Sequence, residues 1–308
     1  MSPGVRIGII GTGWVGASVA ISLLHAGIAQ ELLLHDLKTD VAEGEAMDLS
    51  HGSSFYPPAQ VRTATVDEMR DATAIVIAAG RGGRPGESRL DLLKDNARVV
   101  RDLAVHFRQF SGTAIIVTNP VDVLTHQFAV ASGLPPERVL GTGTMLDTAR
   151  LKNVLSQTLH VAPQSIHAHV VGEHGDSEVV LWSTATVAGV PLRKWPGWDS
   201  GAEQRIADEV RSAAYEIIRR KGATNHAIGL VTAALLGSVV RGENRVLTIS
   251  RVQGGTLGIR DVALSLPTIV GSDGGTQVVA FHLSDDERRA LERSATVLRG
   301  AIASANAT

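Results

Sequence analysis

Apolar residues are distributed differently in the two halves of this chain. In the first half, short continuous apolar runs recur: VRIGII (5–10), ELLLHD (31–36), AIVIAA (74–79) and TAIIVT (113–118). They alternate with helix-like stretches at 15–26, 41–51, 90–110 and 121–131. A strand that is apolar throughout belongs to a sheet covered on both faces, which is the habit of parallel sheets. Strand–helix alternation therefore predicts a doubly wound parallel α/β sheet.

The second half predicts a mixed α+β unit. HAHVVGEHGDSEVVLWSTATVAGVPL (167–192) is strand-rich, and residues 202–220 read as a long helix with Ile206, Val210, Ala213 and Ile217 on one stripe. Arg219, Arg220 and Lys221 suit the negative end of its dipole, and Gly222 stops it. Short strands follow near 246–252 and 257–264, and SDDE (284–287) reads as a capping box for a last helix carrying Leu291, Ala295, Leu298 and Ile302. The change of texture near Thr144 divides the chain into two expected domains, residues 1–143 and 144–308.

Composition narrows the classes. With 308 residues and a net charge of -2, the chain has room for two medium domains and no global basic field for nucleic acid. It has no cysteine, which excludes disulfides and thiolate chemistry, and its histidines show no metal-ligand spacing. The most apolar window, 7–34, is broken by five glycines, a Gln and a Glu, so no membrane span is expected, nor is a signal peptide. A cytoplasmic protein is the expectation.

The first strand runs into GTGWVG, with Gly11, Gly13 and Gly16 in G-x-G-x-x-G spacing before a helix. The first glycine permits the tight turn, the second lets backbone approach a pyrophosphate, and the third lets helix and strand pack closely. Asp36, twenty residues after Gly16, ends the second strand where a carboxylate accepts hydrogen bonds from a ribose and repels a 2′-phosphate. Together they point to NAD rather than NADP. GTGTMLDTARL (141–151) sets Asp147 and Arg150 on one helical face, though Thr144 and Asp147 also read as a capping box with Arg150 a solvated charge. His174, within GEHGDSEV, is either a structural histidine or the imidazole that hydride chemistry needs for its proton.

The order and spacing of GTGWVG, LLLHD, PGESRLDLLKDN, VTNPVDVLT, GTGTMLDTARL, GEHGDSEV, KGATNHAIG and LSLPTIVG make the chain resemble the lactate/malate dehydrogenase family of NAD-dependent L-2-hydroxyacid dehydrogenases over nearly its whole length. The resemblance implies a Rossmann fold for the first domain and roles for particular residues. His174 is the expected proton donor–acceptor, Asp147 its carboxylate partner, and Arg150 the fork that grips the substrate carboxylate. Asn119 contacts the reacting oxygen and Pro120 makes a cis turn. Ile228 packs on the nicotinamide, and Thr224 lines the substrate pocket. GRGGRPGESR (80–89) matches the family's mobile loop, with Arg89 polarising the substrate carbonyl.

Gly83 stands where lactate-type members carry Gln and malate-type members carry Arg. Glu173 and Thr224 are lactate-like. The expectation is therefore an L-lactate dehydrogenase of glycolysis, acting on a small 2-oxo or 2-hydroxy acid. A broad or branched-chain 2-hydroxyacid dehydrogenase comes next, since Gly83 leaves room, and malate dehydrogenase third. His167 and Lys152 match the places where many bacterial members bind fructose 1,6-bisphosphate; a strand histidine and an ordinary helix lysine is the equal alternative. The family resemblance also implies a homodimer or homotetramer. A catalytically silent NAD-binding protein ranks low because Arg89, Asn119, Asp147, Arg150 and His174 are all present. A Tyr–Lys dehydrogenase is excluded by the lack of Y-x-x-x-K.

Overall fold

The structure, a computed structural model, describes residues 4–82 and 89–307. Six strands, β1 (Arg6–Ile10), β2 (Glu31–His35), β3 (Gln60–Thr63), β4 (Ala74–Ile77), β5 (Thr113–Ile116) and β6 (Val139–Gly141), pair in parallel in the spatial order β6-β5-β4-β1-β2-β3. Helices α1 (Trp14–His25), α2 (Thr39–His51), α3 (Arg89–His106) and α4 (Val121–Ser132) lie between them in sequence. Successive side chains of a strand point to opposite faces, and here both faces are buried. Leu33, Ile75 and Ile77 join Phe107 and Phe128 on one side, whereas Leu32, Leu34 and Val76 join Leu23 and Leu24 on the other. The continuous apolar runs are thus explained by a doubly covered sheet. β3 and β6 are additions to the expected set. QVRT is short and partly exposed, and VLG is three residues long, so neither makes a visible run.

The chain continues into α5 (Met145–Leu159), then five two-residue strands: β7 (Ile166–His167), β8 (Val170–Val171), β9 (Val179–Val180), β10 (Thr186–Val187) and β11 (Val190–Pro191). β7, β10 and β11 form one small sheet, and β8 pairs antiparallel with β9, so that residues 172–178 form the connection of a hairpin. α6 (Glu203–Lys221) and α7 (His226–Arg241) follow. Two readings need correction. Thr144 does not cap α5 with its side chain; its buried hydroxyl donates to the Val170 carbonyl at 2.6 Å, and Asp147 is engaged elsewhere. The α6 stripe is buried at Ile206 and Val210 but exposed at Ile217, so among the described residues its first half is the part that is covered. Gly222, at φ 90°, ends α6 as expected.

α7 packs along α1, and a Cβ at Gly229 would overlap the Ser18 carbonyl oxygen. Glycine is required there for the two helices to touch. β12 (Arg245–Gly254), β13 (Arg260–Gly271) and β14 (Gly274–Val278) are antiparallel, and β12 meets β6 at Ser250↔Gly141. One nine-stranded sheet therefore spans both halves. α8 (Asp285–Asn306) opens with the expected capping box: the Glu287 N–H donates to Ser284 Oγ, and the Ser284 N–H donates to Glu287 Oε2 at 2.9 Å. Among the described residues, no helix is long and apolar enough to cross a membrane.

Candidate active site

The β8–β9 connection carries His174 to the first turn of α5. Three ties hold it. The Glu173 N–H donates to Ser294 Oγ of α8 at 2.8 Å, the Ser177 hydroxyl donates to the Glu173 carboxylate, and the His174 N–H donates to Asp122 Oδ2 at 2.7 Å. The His174 imidazole then meets Asp147, Nδ1 to Oδ2, at 2.6 Å. Arg150, one turn further along α5, donates from Nη1 to the other Asp147 oxygen at 2.7 Å. Asp147 is 2 % exposed, so its charge acts through little water. Burial pulls the His174 imidazole down, yet the charge and hydrogen bond of Asp147, with the charge of Asp122, push it up to about 9. Burial acts to raise Asp147, but His174 and Arg150 outweigh it and hold its carboxyl below the usual range.

The His174 side chain remains 23 % exposed. Its Nδ1 is occupied by Asp147, which leaves Nε2 as the nitrogen able to exchange a proton with a substrate. An imidazole oriented by a carboxylate, with a guanidinium on the same carboxylate, can move a proton beside a bound organic acid.

Asp122 was not assigned a role in the sequence, although it lies within VTNPVDVLT. It follows the cis Asn119–Pro120 peptide, in the first turn of α4. Asn119 is bound into that turn: its Oδ1 accepts the Val121 N–H at 3.2 Å, and its carbonyl accepts from Asn96 Nδ2 at 3.1 Å. Burial pushes the Asp122 carboxyl up to about 6. Glu178 is a second unassigned carboxyl, nearly buried ahead of β9. Burial, and then the charge of Asp147, push it up to about 8. An acidic residue inside or beside an apolar run was the signal for both.

The nucleotide end is built as the glycine spacing implied. Gly11 adopts φ 95° and Gly13 precedes α1. A Cβ at Gly16 would overlap the Gly11 carbonyl oxygen, whereas one at Gly13 would meet nothing within 4 Å. Gly16 thus serves packing, and Gly13 keeps bare backbone facing open space at a helix N-terminus, which suits a pyrophosphate. Asp36 Oδ2 accepts the Thr12 N–H at 2.9 Å, and Oδ1 accepts the Lys38 N–H at 3.0 Å, which fixes a carboxylate beside the loop. These residues fit NAD. Thr224 precedes α7, and Ile228 in its first turn packs partly buried on the face that includes Val15.

Gly83 lies outside the described residues, as does the Arg89 side chain; Arg89 itself begins α3. Arg81, on the near side of the loop, is ion-paired with Asp95 at 2.7 Å, and its N–H donates to Asn96 Oδ1 at 3.0 Å. His167 and Lys152 both lie close enough to His169 to act on it by charge. Burial, with the charges of Lys152 and His167, pushes His169 down to about 4, and burial with the charge of Arg245 lowers Lys152.

Residues 5–141 match the sequence profile described as lactate/malate dehydrogenase, NAD binding domain, and residues 144–308 that of the lactate/malate dehydrogenase alpha/beta C-terminal domain. The chain is 42 % identical to the L-lactate dehydrogenase of Bacillus caldolyticus over 307 residues, covering 97 % of each. It is 44 % identical to that of Thermus aquaticus over 304 residues, 96 % of this chain and 98 % of the relative. The ligand-bound crystal structure of the minor L-lactate dehydrogenase from Enterococcus mundtii superposes with a TM-score of 0.95 at 36 % identity, over 97 % of this chain and 98 % of that one.

Proposed function

The chain belongs to the lactate/malate dehydrogenase family, and we propose that it interconverts L-lactate and pyruvate with NAD, His174 being the proton donor–acceptor. The observation that carries this reading is the His174–Asp147–Arg150 geometry: an imidazole held at Nδ1 by a buried carboxylate, with a guanidinium on the same carboxylate. NAD, when bound by Gly11, Gly13, Gly16 and Asp36 with Ile228 at the ring, supplies or accepts the hydride. In reduction, the pyruvate carboxylate is gripped by the Arg150 guanidinium, for which a planar fork is the matching shape. Asn119 orients the carbonyl oxygen and Thr224 closes the pocket. The carbonyl oxygen takes the Nε2 proton of the imidazolium, and Asp147 stabilises the imidazolium until that transfer. Arg89 is assigned the polarising charge on the loop, where exclusion of water strengthens it. In oxidation the same proton returns to Nε2.

The engagement of Arg81 with Asp95 counts against Arg81 as the partner of a second substrate carboxylate, which a dianionic substrate would need. The test is initial-rate NADH oxidation with pyruvate, 2-oxoisocaproate and oxaloacetate. The highest kcat/KM is expected for pyruvate. A preference for 2-oxoisocaproate would move the reading to branched substrates through Gly83, and a preference for oxaloacetate would reject it.

Two finer assignments accompany this reading. A groove of about 770 Å³ lined by Trp14, Ile21, Phe55 and His226 exposes large apolar side chains, Phe55 at 86 %. A second copy of the chain is its proposed cover, giving a homodimer or homotetramer by light scattering. Lys152 and Arg245, close enough to act on each other by charge, with His167 beside the same His169 neighbour, support fructose 1,6-bisphosphate as an effector. Activation at low pyruvate that is lost in His167→Ala is expected; no response to the sugar bisphosphate would remove the assignment.

A further inference from the structure

The last paired residues of β4 and β5 are Ile77 and Ile116. Beyond them both strands enter the carboxyl edge of the parallel sheet, where open α/β folds place their ligand crevice. Main-chain groups that have left the ladder need other partners there. Two side chains supply them. Thr118 Oγ1 donates to the Ala79 carbonyl at 2.7 Å. Asn96, on α3 and 2 % exposed, reaches further. Its Oδ1 accepts the Arg81 N–H at 3.0 Å, and its Nδ2 donates to the carbonyls of Arg81 at 3.3 Å and Asn119 at 3.1 Å. A single amide thus uses its acceptor and both of its hydrogens, standing in for the missing strand. A Cβ at Gly80 would lie 2.5 Å from Thr118 Cγ2 and 3.3 Å from Asn96 Oδ1, so glycine is what lets the chain come this close to both.

The Asn96 amide joins the end of β4 to the cis turn after β5. In that turn the Asn119 side chain is exposed, and its Oδ1 accepts the Val121 N–H, which leaves Nδ2 as its donor end. An acceptor for the Arg81 N–H alone would be served by Asp or Ser. What asparagine adds is the two donated bonds, and one of them ends on Asn119. We propose that Asn96 is a positioning residue for the reduction of the substrate carbonyl: by holding the Asn119 main chain, it sets where the Asn119 amide meets the reacting oxygen. This rests on the role of Asn119 in the proposed reaction. Asn96 itself does not touch the substrate. A donor aimed at a developing oxyanion stabilises it only at hydrogen-bond distance, so a small displacement of the turn is costly.

The test is a double-mutant cycle between Asn96→Ser and Asn119→Ala, with kcat and KM for pyruvate measured at saturating NADH. Asn96→Ser withdraws the amide from the Asn119 carbonyl. Alone it should lower kcat about tenfold or more while KM changes less than about threefold. In the Asn119→Ala background the same substitution should cost less than about threefold, because the group through which it acts is gone. Equal losses in both backgrounds would overturn the proposal and leave Asn96 a residue of the fold alone. A crystal structure of Asn96→Ser gives a reading without substrate: a displaced Asn119 is expected, and an unmoved one overturns the proposal. If Asn96→Ser does not fold, Asn96→Asp, which keeps the acceptor for Arg81 and loses both donated bonds, carries the same cycle. Should the native protein fail to reduce pyruvate, the functional reading falls, while the crystal structure still decides whether Asn96 places Asn119.

Discussion

Replacing Asp147 by Asn preserves the side-chain shape and removes the charge nearest His174. In the native protein Asp147 Oδ2 lies 2.6 Å from Nδ1, and the imidazole is pushed from 6.5 up to about 9 against the pull of burial. That rise corresponds to about 3 kcal/mol in favour of the imidazolium. Asp147 is the main contributor and Asp122 the lesser one. Without the Asp147 charge, burial leaves the imidazole near or below 6.5. At pH 8 the native site would then be about 90 % protonated and the variant at most about 3 %, so pyruvate reduction should fall roughly thirtyfold from proton supply alone. Near pH 5.5 most of that deficit should vanish, because both proteins hold the proton. The assay is kcat/KM for NADH-dependent pyruvate reduction from pH 5 to 10, expressed as the ratio of native to variant. A ratio that stays constant across pH would refute the reasoning and reduce Asp147 to an orienting group.

Three other outcomes are expected. Arg150→Lys exchanges a planar fork for a point charge, and should raise KM for pyruvate by about 10- to 100-fold with a smaller change in kcat, read from initial rates. Asp36→Ser removes the acceptor of the Thr12 and Lys38 N–H groups, so NADH binding, followed by fluorescence titration, should weaken about tenfold while discrimination against NADPH narrows. Glu178, pushed from 4.5 up to about 8, keeps a proton in the folded state that the unfolded chain releases, so its contribution is full below pH 4.5 and is lost as pH rises toward 8. Glu178→Gln should therefore melt a few °C above the native protein at pH 8 and level with it below pH 4.5; equal Tm values at both ends would refute that assignment.

Much of this was legible in the sequence because the relevant physics is local. A strand apolar on both faces declares a covered sheet, and glycine spacing declares a turn that only bare backbone can make. Asp147 and Arg150 share a helical face whatever the rest of the chain does. What the sequence did not disclose depends on distant partners. Whether Thr144 caps α5 is decided by the Val170 carbonyl, which offers its hydroxyl a buried partner. Asp122 gains its place only when the β8–β9 connection folds onto α4. Ile217 satisfies the helical stripe of α6 but is exposed among the described residues. β6 is too short to announce itself, and its partner β12 begins only at Arg245.

That last pairing has a consequence for biosynthesis. Val139 and Leu140 leave the ribosome well before the segment that flanks them on the far side, so the parallel half can assemble while β6 is still a bare edge. Unpaired N–H and C=O groups beside apolar side chains are a template for strands of neighbouring nascent chains. Refolding yield should therefore fall with protein concentration until β12 docks. A holdase that occupies this edge should restore the yield without altering the stability of the finished protein.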